Sequence, residues 1–196
     1  MLTNVVVAAG TAIVLVNSVV YARSVFELGG SALAIMLAFF GVGSLLIALN
    51  IPPLVERFGV IRTIITSTLL ITIGLSAAVI VTAVAAPSSS GWGWLLATWM
   101  MLGMGTSLVN TPSSRLLADA STPANRNLVY TAQFALSHAC FLVTYPIAGL
   151  IGASSLTLAV LVLLAVAVVT TVSATAFAFA HRLRHTSEQS AAATAG

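Results

Sequence analysis

The sequence predicts an all-α integral membrane protein with six transmembrane helices and with both termini on the cytoplasmic side. Of its 196 residues, 59% are hydrophobic and 6% are charged, and the mean hydropathy is +1.11. Soluble domains carry about one quarter charged residues. Six apolar runs are each long enough to cross a hydrocarbon core of about 30 Å, which takes about 20 helical residues. The basic residues fall mainly on one side of the predicted membrane.

The six predicted spans are separated by short segments with turn or interface signals, such as "RSVFELGGS", "ERFGVIR" and "APSSSGWG". The spans form a predicted bundle over 1–182 and lie near residues 4–22, 31–53, 61–86, 92–110, 127–150 and 155–180. The polar segment 183–196 is predicted to be a disordered cytoplasmic tail. The first apolar run has no basic segment before it, so we interpret it as a retained span and not as a cleaved signal peptide.

Arginine supplies all seven basic residues, and their positions set the predicted orientation. Cytoplasmic loops of membrane proteins hold an excess of Lys and Arg. If the N-terminus is inside the cell, Arg23 is the single arginine outside. The six on the cytoplasmic side are then Arg57, Arg62, Arg115, Arg126, Arg182 and Arg184. This split supports the six-span count and the orientation. We expect a multi-pass protein of the cell membrane, either a plasma or an inner membrane.

The composition argues against several function classes. The net charge of +3 comes from a few separate points, so nucleic acid is not an expected partner, whereas the lipid bilayer is. Cys140 is the single cysteine, and no Cys/His cluster has metal-ligand spacing, so we expect no metal or other cofactor. Ser137 and His138 point about 100° apart on a helix, which is poor geometry for a nucleophile and its base. We therefore expect no enzyme.

The fifth span concentrates its polar and aromatic side chains on one face. On a helical wheel the rings fall within about 80° of one another, and the hydroxyl, amide and thiol groups fill the adjoining sector. The face is either the wall of a substrate pathway or a helix–helix interface held by hydrogen bonds. In the first case His138 contacts substrate or carries a proton. The predicted lining residues are Gln133, Phe134, Ser137, His138, Phe141 and Tyr145.

The first and fourth spans carry further lining candidates: Asn17, Tyr21, Trp99 and Asn110. The third span, and the sixth as far as Ala176, have no charged, histidine or aromatic residue, so we interpret them as outer, lipid-facing or scaffold helices. Pro146 lacks the amide hydrogen that would bond one turn back, which predicts a kink near the outer end of the fifth span.

The loop "PPLVERFGVIR" between the second and third spans resembles the motif G-x-x-x-D-R-x-G-R-R of the major facilitator superfamily of secondary transporters. Glu56 stands at the Asp position, and Arg57 and Gly59 match. The loop departs from the motif in having Pro52 for the first Gly and in placing Arg62 one residue late. The later segment "NR...AQFALSHACFLVTYPIAG" is similar to helices of bacterial efflux-type members.

The resemblance implies the C-terminal six-helix half of a twelve-helix transporter, built as two inverted three-helix repeats whose first helices line the cavity. It implies secondary active transport, and specifically efflux, of a small-molecule substrate. Because one half has no second wall, the partner would be a missing N-terminal six-helix half, a separate chain or a second copy, unless the chain is a truncated transporter. The alternative is a non-transporting six-helix membrane protein that packs against a transporter or regulates it.

Overall fold

The helices of the chain are seen in a computed structural model that describes residues 2–84 and 89–194, without the side chains of Ser89 and of 180–194. Within these residues the structure holds helices and no strand, which confirms the all-α prediction for this part of the chain. The long helices are α1 (Leu2–Val25), α2 (Gly30–Phe58), α3 (Val60–Val84), α4 (Ser89–Asp119), α5 (Arg126–Ser154) and α6 (Leu156–Thr194).

Five of these helices are long and apolar enough to cross a membrane: α1, α2, α3, α5 and, in α6, the stretch Leu156–Phe179. The remaining helix, α4, has glycine, serine, threonine and tryptophan between its apolar residues and does not belong to this group. The membrane-length helices agree with a multi-pass membrane protein. A sixth crossing by α4 stays a prediction.

The helix α1 lies at the centre of the bundle. In its apolar stretch 67% of the residues are buried, against 17% for α2 and 11% for α5. The helix α1 packs most extensively against α5 and α6, whereas α4 packs most extensively against α2 and α3. If α1–α3 and α4–α6 are taken as two three-helix sets, the first helix of each set packs against the second and third helices of the other set.

The helices α3 and α6, which the sequence predicts as outer or scaffold helices, also pack against each other. The hydroxyl oxygens of Thr72 in α3 and Thr171 in α6 are 3.1 Å apart and share a hydrogen bond. Hydroxyl residues of α3 that face its neighbours, such as Thr63 and Ser67, are buried. These contacts fit a scaffold role better than a purely lipid-facing one.

Two glycines bring the backbones of α2 and α4 into direct contact. A Cβ atom added at Gly43 would lie 2.1 Å from the carbonyl oxygen of Met100, and one added at Gly103 would lie 2.0 Å from that of Phe40. Only glycine fits at such distances, and close crossings of this kind are typical of membrane helices. Gly41, two residues from Gly43, faces open space.

The helix α5 changes pitch after its proline. Residues Arg126–Pro146 are α-helical, and Ile147–Ile151 are π-helical. The change falls directly after Pro146, which has no amide hydrogen to continue the α-helical pattern. A second π-helical segment, Tyr21–Val25, ends α1.

The last helix, α6, continues to Thr194. It thus extends through 183–194, which the sequence predicts as a disordered tail. The stretch from Leu156 to Thr194 contains no glycine or proline that would end a helix. The last residues of the predicted third span, 85 and 86, lie outside the described residues.

Candidate functional site

The residues that resemble the family motif surround a one-residue connection between α2 and α3. Gly59 has φ +78°, a conformation that favours glycine, and its amide donates to the carbonyl of Val55 over 2.8 Å. Glu56, Arg57 and Arg62 are all exposed. The guanidinium of Arg57 lies 5.5 Å from the centre of the ring of the next residue, phenylalanine. The structure thus requires glycine at position 59 and leaves the three charges at the surface.

Two predicted lining residues, Tyr21 and Trp99, lie in the core between α1 and α4 and have no exposed surface. Their rings meet edge to face with centres 5.0 Å apart. The hydroxyl oxygens of Tyr21 and Thr82 are 2.5 Å apart, and the indole nitrogen of Trp99 donates to the hydroxyl of Ser18 over 2.7 Å. The structure places both residues in helix packing, and contact of either with a substrate stays a prediction.

Asn17, a third predicted lining residue, is also buried and is 1% exposed. It faces Gly152 at the end of α5, where an added Cβ would come within 2.7 Å of the amide nitrogen. Neither polar atom of its side chain has a hydrogen-bond partner among the described residues. Asn17 therefore lies between α1 and α5, away from the surface of the bundle.

The remaining amide and hydroxyl candidates meet at a cleft between α1, α4 and α5. The larger part has a volume of about 520 Å³, and an adjoining part of about 280 Å³ shares Asn4, Asn110 and Ser137 with it. We call the two parts together the polar cleft. The larger part is also lined by Ser113, Ser114, Leu117, Tyr130, Thr131, Gln133 and Phe134, and the smaller part by Val7, Thr11, Phe40, Thr106 and Phe141.

The polar cleft therefore brings together five of the ten predicted lining residues. These are Asn110, Gln133, Phe134, Ser137 and Phe141. Asn110 lies on α4 and the other four lie on α5, so the two helices together supply amide, hydroxyl and aromatic groups to the cleft. Nothing on the lining carries a charge. The cleft can thus bind a solute by hydrogen bonds and ring contacts.

An amide pair crosses the cleft from α5 to α1. The side-chain nitrogen of Gln133 donates to Oδ1 of Asn4 over 3.3 Å. Asn4 is only 8% exposed, and its own Nδ2 group has no partner among the described residues. The hydroxyl of Thr11, also on the lining, is buried and without a partner as well. Because buried polar groups are normally hydrogen-bonded, these two groups are unsatisfied donors on side chains that line the cleft.

Hydroxyl groups around the cleft donate to backbone carbonyls. Tyr130 donates to the carbonyl of Ser114 over 3.1 Å and so joins α5 to α4. Ser137 donates to Gln133 over 3.0 Å, and Thr106 donates one turn back in α4. Their oxygens keep free lone pairs, since a hydroxyl has one donor and two acceptor positions. Toward a solute these groups act as acceptors.

A row of rings follows the exposed face of α5. The centres of Phe134 and His138 are 3.9 Å apart and stacked, those of His138 and Phe141 are 5.8 Å apart, and those of Phe141 and Tyr145 are 5.3 Å apart. Nδ1 of His138 lies 2.9 Å from the carbonyl of Phe134. A carbonyl only accepts, so Nδ1 donates and a neutral imidazole keeps its lone pair on Nε2. His138 is exposed, and Tyr145 is half-buried.

Several lining residues were missed by the reasoning from sequence, above all Asn4, Thr11 and Tyr130. Asn4 and Thr11 are seven residues apart, so they share a face of α1 two turns apart. That spacing is a signal in the sequence, although the apolar residues between them hide it. Tyr130 belongs to the same stripe as Phe134 on α5 and was not included in the lining.

Comparison with known proteins gives one match. A family model described as the Major Facilitator Superfamily matches residues 1–195. No curated protein and no solved structure matches the chain. The matched range includes the helices that form the polar cleft and the connection between α2 and α3.

Proposed function

The chain belongs to the Major Facilitator Superfamily, whose members are membrane transporters and not enzymes, and on this premise we propose that it exports a small organic solute. The transport is secondary active, and the chain acts as one six-helix half of a transporter in the cell membrane. Its proposed substrate pathway passes along the polar cleft.

The position of the polar cleft carries this proposal. It lies where α1, α4 and α5 meet, and α1 and α4 are the first helices of the two proposed three-helix repeats. In this kind of transporter the substrate pathway runs at the interface between repeats. The larger part of the cleft, about 520 Å³, has the size of a site for a small organic molecule.

The packing of the helices supports two inverted repeats. The helix α1 packs against α5 and α6, and α4 packs against α2 and α3. This is the pattern expected if α1, α2 and α3 are equivalent to α4, α5 and α6. The arginines at both ends of two connections, Arg57 with Arg62 and Arg115 with Arg126, are exposed. Because cytoplasmic loops hold an excess of Lys and Arg, these arginines favour the cytoplasmic side for both connections. This orientation requires α4 to be a sixth span and puts both termini, and the nearby cleft, at the cytoplasmic end of the bundle.

The exposure of α2 and α5 supports a second six-helix unit as the partner. These two are the least buried of the membrane-length helices, and α5 presents a row of rings on its open side. We propose that the second unit faces them and completes the wall of the pathway. It is an N-terminal half, a separate chain or a second copy.

Flux into vesicles tests the function. The protein is purified together with any partner chain that cross-linking identifies and is reconstituted into proteoliposomes. The movement of a panel of radiolabelled solutes is followed with and without an imposed proton or sodium gradient. We expect gradient-dependent movement of at least one solute, and we expect Asn110→Leu to reduce it. Asn50→Leu, at an exposed asparagine of α2 away from the cleft lining, is the control. A stable complex with another membrane protein and no flux would instead favour the non-transporting alternative.

Cross-linking tests the partner. Cys140 is the single cysteine and lies half-buried on α5, so a cross-linker with a maleimide at one end and a photoreactive benzophenone at the other reports which chain faces this helix. A second copy gives a product of twice the 20.1 kDa mass of the chain, and a separate half gives a different mass. A transporter-active sample that gives no product even with long cross-linkers contradicts the proposed position of the partner.

A further inference from the structure

The lining of the polar cleft offers no countercharge to a solute. Its side chains are amides, hydroxyls, aliphatic groups and rings. The arginines that flank it along the chain, Arg115 and Arg126, are exposed and do not line it. An ion that leaves water for a protein cleft needs an opposite charge or must keep its hydration water. A neutral solute needs neither, so this lining favours neutral solutes.

Asn4 supplies a directed donor. Its Oδ1 accepts the hydrogen bond from Gln133, which fixes the orientation of the amide. Its Nδ2 group is buried and has no partner among the described residues, on a side chain that lines both parts of the cleft. A buried donor without an acceptor is unfavourable, so a ligand oxygen placed there gains more than it would at an exposed group. A carbonyl or hydroxyl oxygen fits this position.

Rings form the apolar part of the cleft. Phe134 lines the larger part, and Phe141 and Phe40 of α2 line the smaller part. Phe134 is 63% exposed and therefore offers a free ring face. Flat rings of a solute stack favourably on such faces. The oxygens of Ser137 and Thr106 remain as acceptors beside them.

We propose that the polar cleft selects uncharged ring compounds that carry a carbonyl or hydroxyl oxygen, and that Asn4 binds this oxygen through its Nδ2 group. The inference rests on the proposed function and names the substrate class of the same site. It assigns recognition to Asn4 and Thr11, and the ring contact to Phe134.

Three matched probes test the charge selection: 2-naphthamide, 2-naphthoate and 2-naphthylmethylammonium. Binding to the full chain in lipid nanodiscs is measured by equilibrium dialysis, and empty nanodiscs correct for partition into lipid. We expect 2-naphthamide to bind at least about tenfold more tightly than either ion, because the lining offers no countercharge for the desolvation of an ion. If either ion binds as tightly as the amide, the selection for uncharged solutes is wrong.

Variants test the role of Asn4. Asn4→Leu keeps a similar volume and removes the amide, so we expect about tenfold weaker binding of 2-naphthamide. Asn50→Leu, the same change at an exposed position, leaves binding unchanged. If Asn4→Leu does not fold, Thr11→Val removes the other unpaired group of the lining with almost no change in shape. Wild-type affinity in the folded variants overturns the assignment.

The same samples separate this inference from the proposed function. Proteoliposomes that move solutes but show no preference for 2-naphthamide overturn only the substrate class. If no probe binds and no solute moves under any gradient, the polar cleft is not a solute site, and the proposed function fails with it.

Discussion

The indole nitrogen of Trp99 donates a hydrogen bond to the hydroxyl of Ser18 over 2.7 Å and so joins α4 to α1 inside the bundle. Ser18 in turn donates to the backbone carbonyl of Val14, so its hydroxyl both accepts and donates. Both residues have no exposed surface. The contact links the two helices that meet at the polar cleft, and we infer that it holds their relative position.

Removal of the Ser18 hydroxyl should destabilise the fold without weakening solute binding. Ser18→Ala leaves the indole N–H of Trp99 buried and unpaired, which costs about 1–2 kcal/mol. Thermal unfolding in detergent measures this loss, and Trp94→Phe, at a tryptophan that is 70% exposed, is the control for unspecific effects. Unchanged stability of Ser18→Ala would contradict this role of the hydrogen bond. Loss of solute binding with full stability would mean that Trp99 also acts on the solute site.

Two glycines of α2 give a matched pair for the helix crossing. Gly43→Ala places a Cβ 2.1 Å from the carbonyl oxygen of Met100, so α2 and α4 must move apart. Overpacking typically costs about 1–3 kcal/mol, and backbone contact leaves little room for relief. Gly41→Ala, which meets nothing within 4 Å, should be tolerated. The two variants are compared by their size-exclusion profiles and unfolding temperatures. Equal profiles and temperatures would contradict the observed crossing.

Sequence reasoning predicted which side chains share a helix face, but not which neighbour covers each face. Gln133 and Tyr21 look alike in the sequence, as polar groups in apolar runs, yet one lines the cleft and the other is in the core. Lipid and helix interior are both apolar, so hydropathy does not distinguish them. The position of Trp99 depends on Ser18, which is 81 residues away in the chain.

Asn4 shows why part of the site was missed. It stands at the predicted start of the first span, where a polar residue at the membrane boundary needs no special explanation. Its partner, Gln133, lies 129 residues further along the chain, so no local spacing relates the two. The connection at Gly59, in contrast, follows from a local rule. Glycine between charged helix ends indicates a turn, and the structure has φ +78° there.

Substitution of Gly59 should destabilise the connection between α2 and α3. Gly59→Ala forces a Cβ into a backbone conformation that costs about 1–3 kcal/mol. Gly93→Ala, in open space within α4 and without a positive φ, should be neutral or slightly stabilising, since alanine favours helix. Trypsin cleavage at Arg57 and Arg62 in native membranes reports opening of this connection. Equal cleavage of Gly59→Ala and Gly93→Ala would show that the connection relaxes at no cost.

His138 and Gln133 lie on the same helix, and we expect opposite results from their substitution. His138 is exposed and outside the lining of the cleft, so His138→Phe, which keeps the stacked row of rings, should change solute flux by no more than about twofold at pH 6 and pH 8. Gln133→Leu removes a cleft amide and the bond that orients Asn4, so flux should fall about tenfold.

The pH dependence of flux decides whether His138 carries a proton. The lone pair on Nε2 is free to accept one, since Nδ1 already donates to the carbonyl of Phe134. We expect the response of flux to a proton gradient to persist in His138→Phe, because His138 lies outside the lining of the cleft. Loss of that response with normal solute binding would contradict this and make the imidazole the proton carrier of this unit. If the response persists, coupling belongs to the second unit, because among the described residues the carboxylates Glu27, Glu56 and Asp119 lie outside the lining of the cleft.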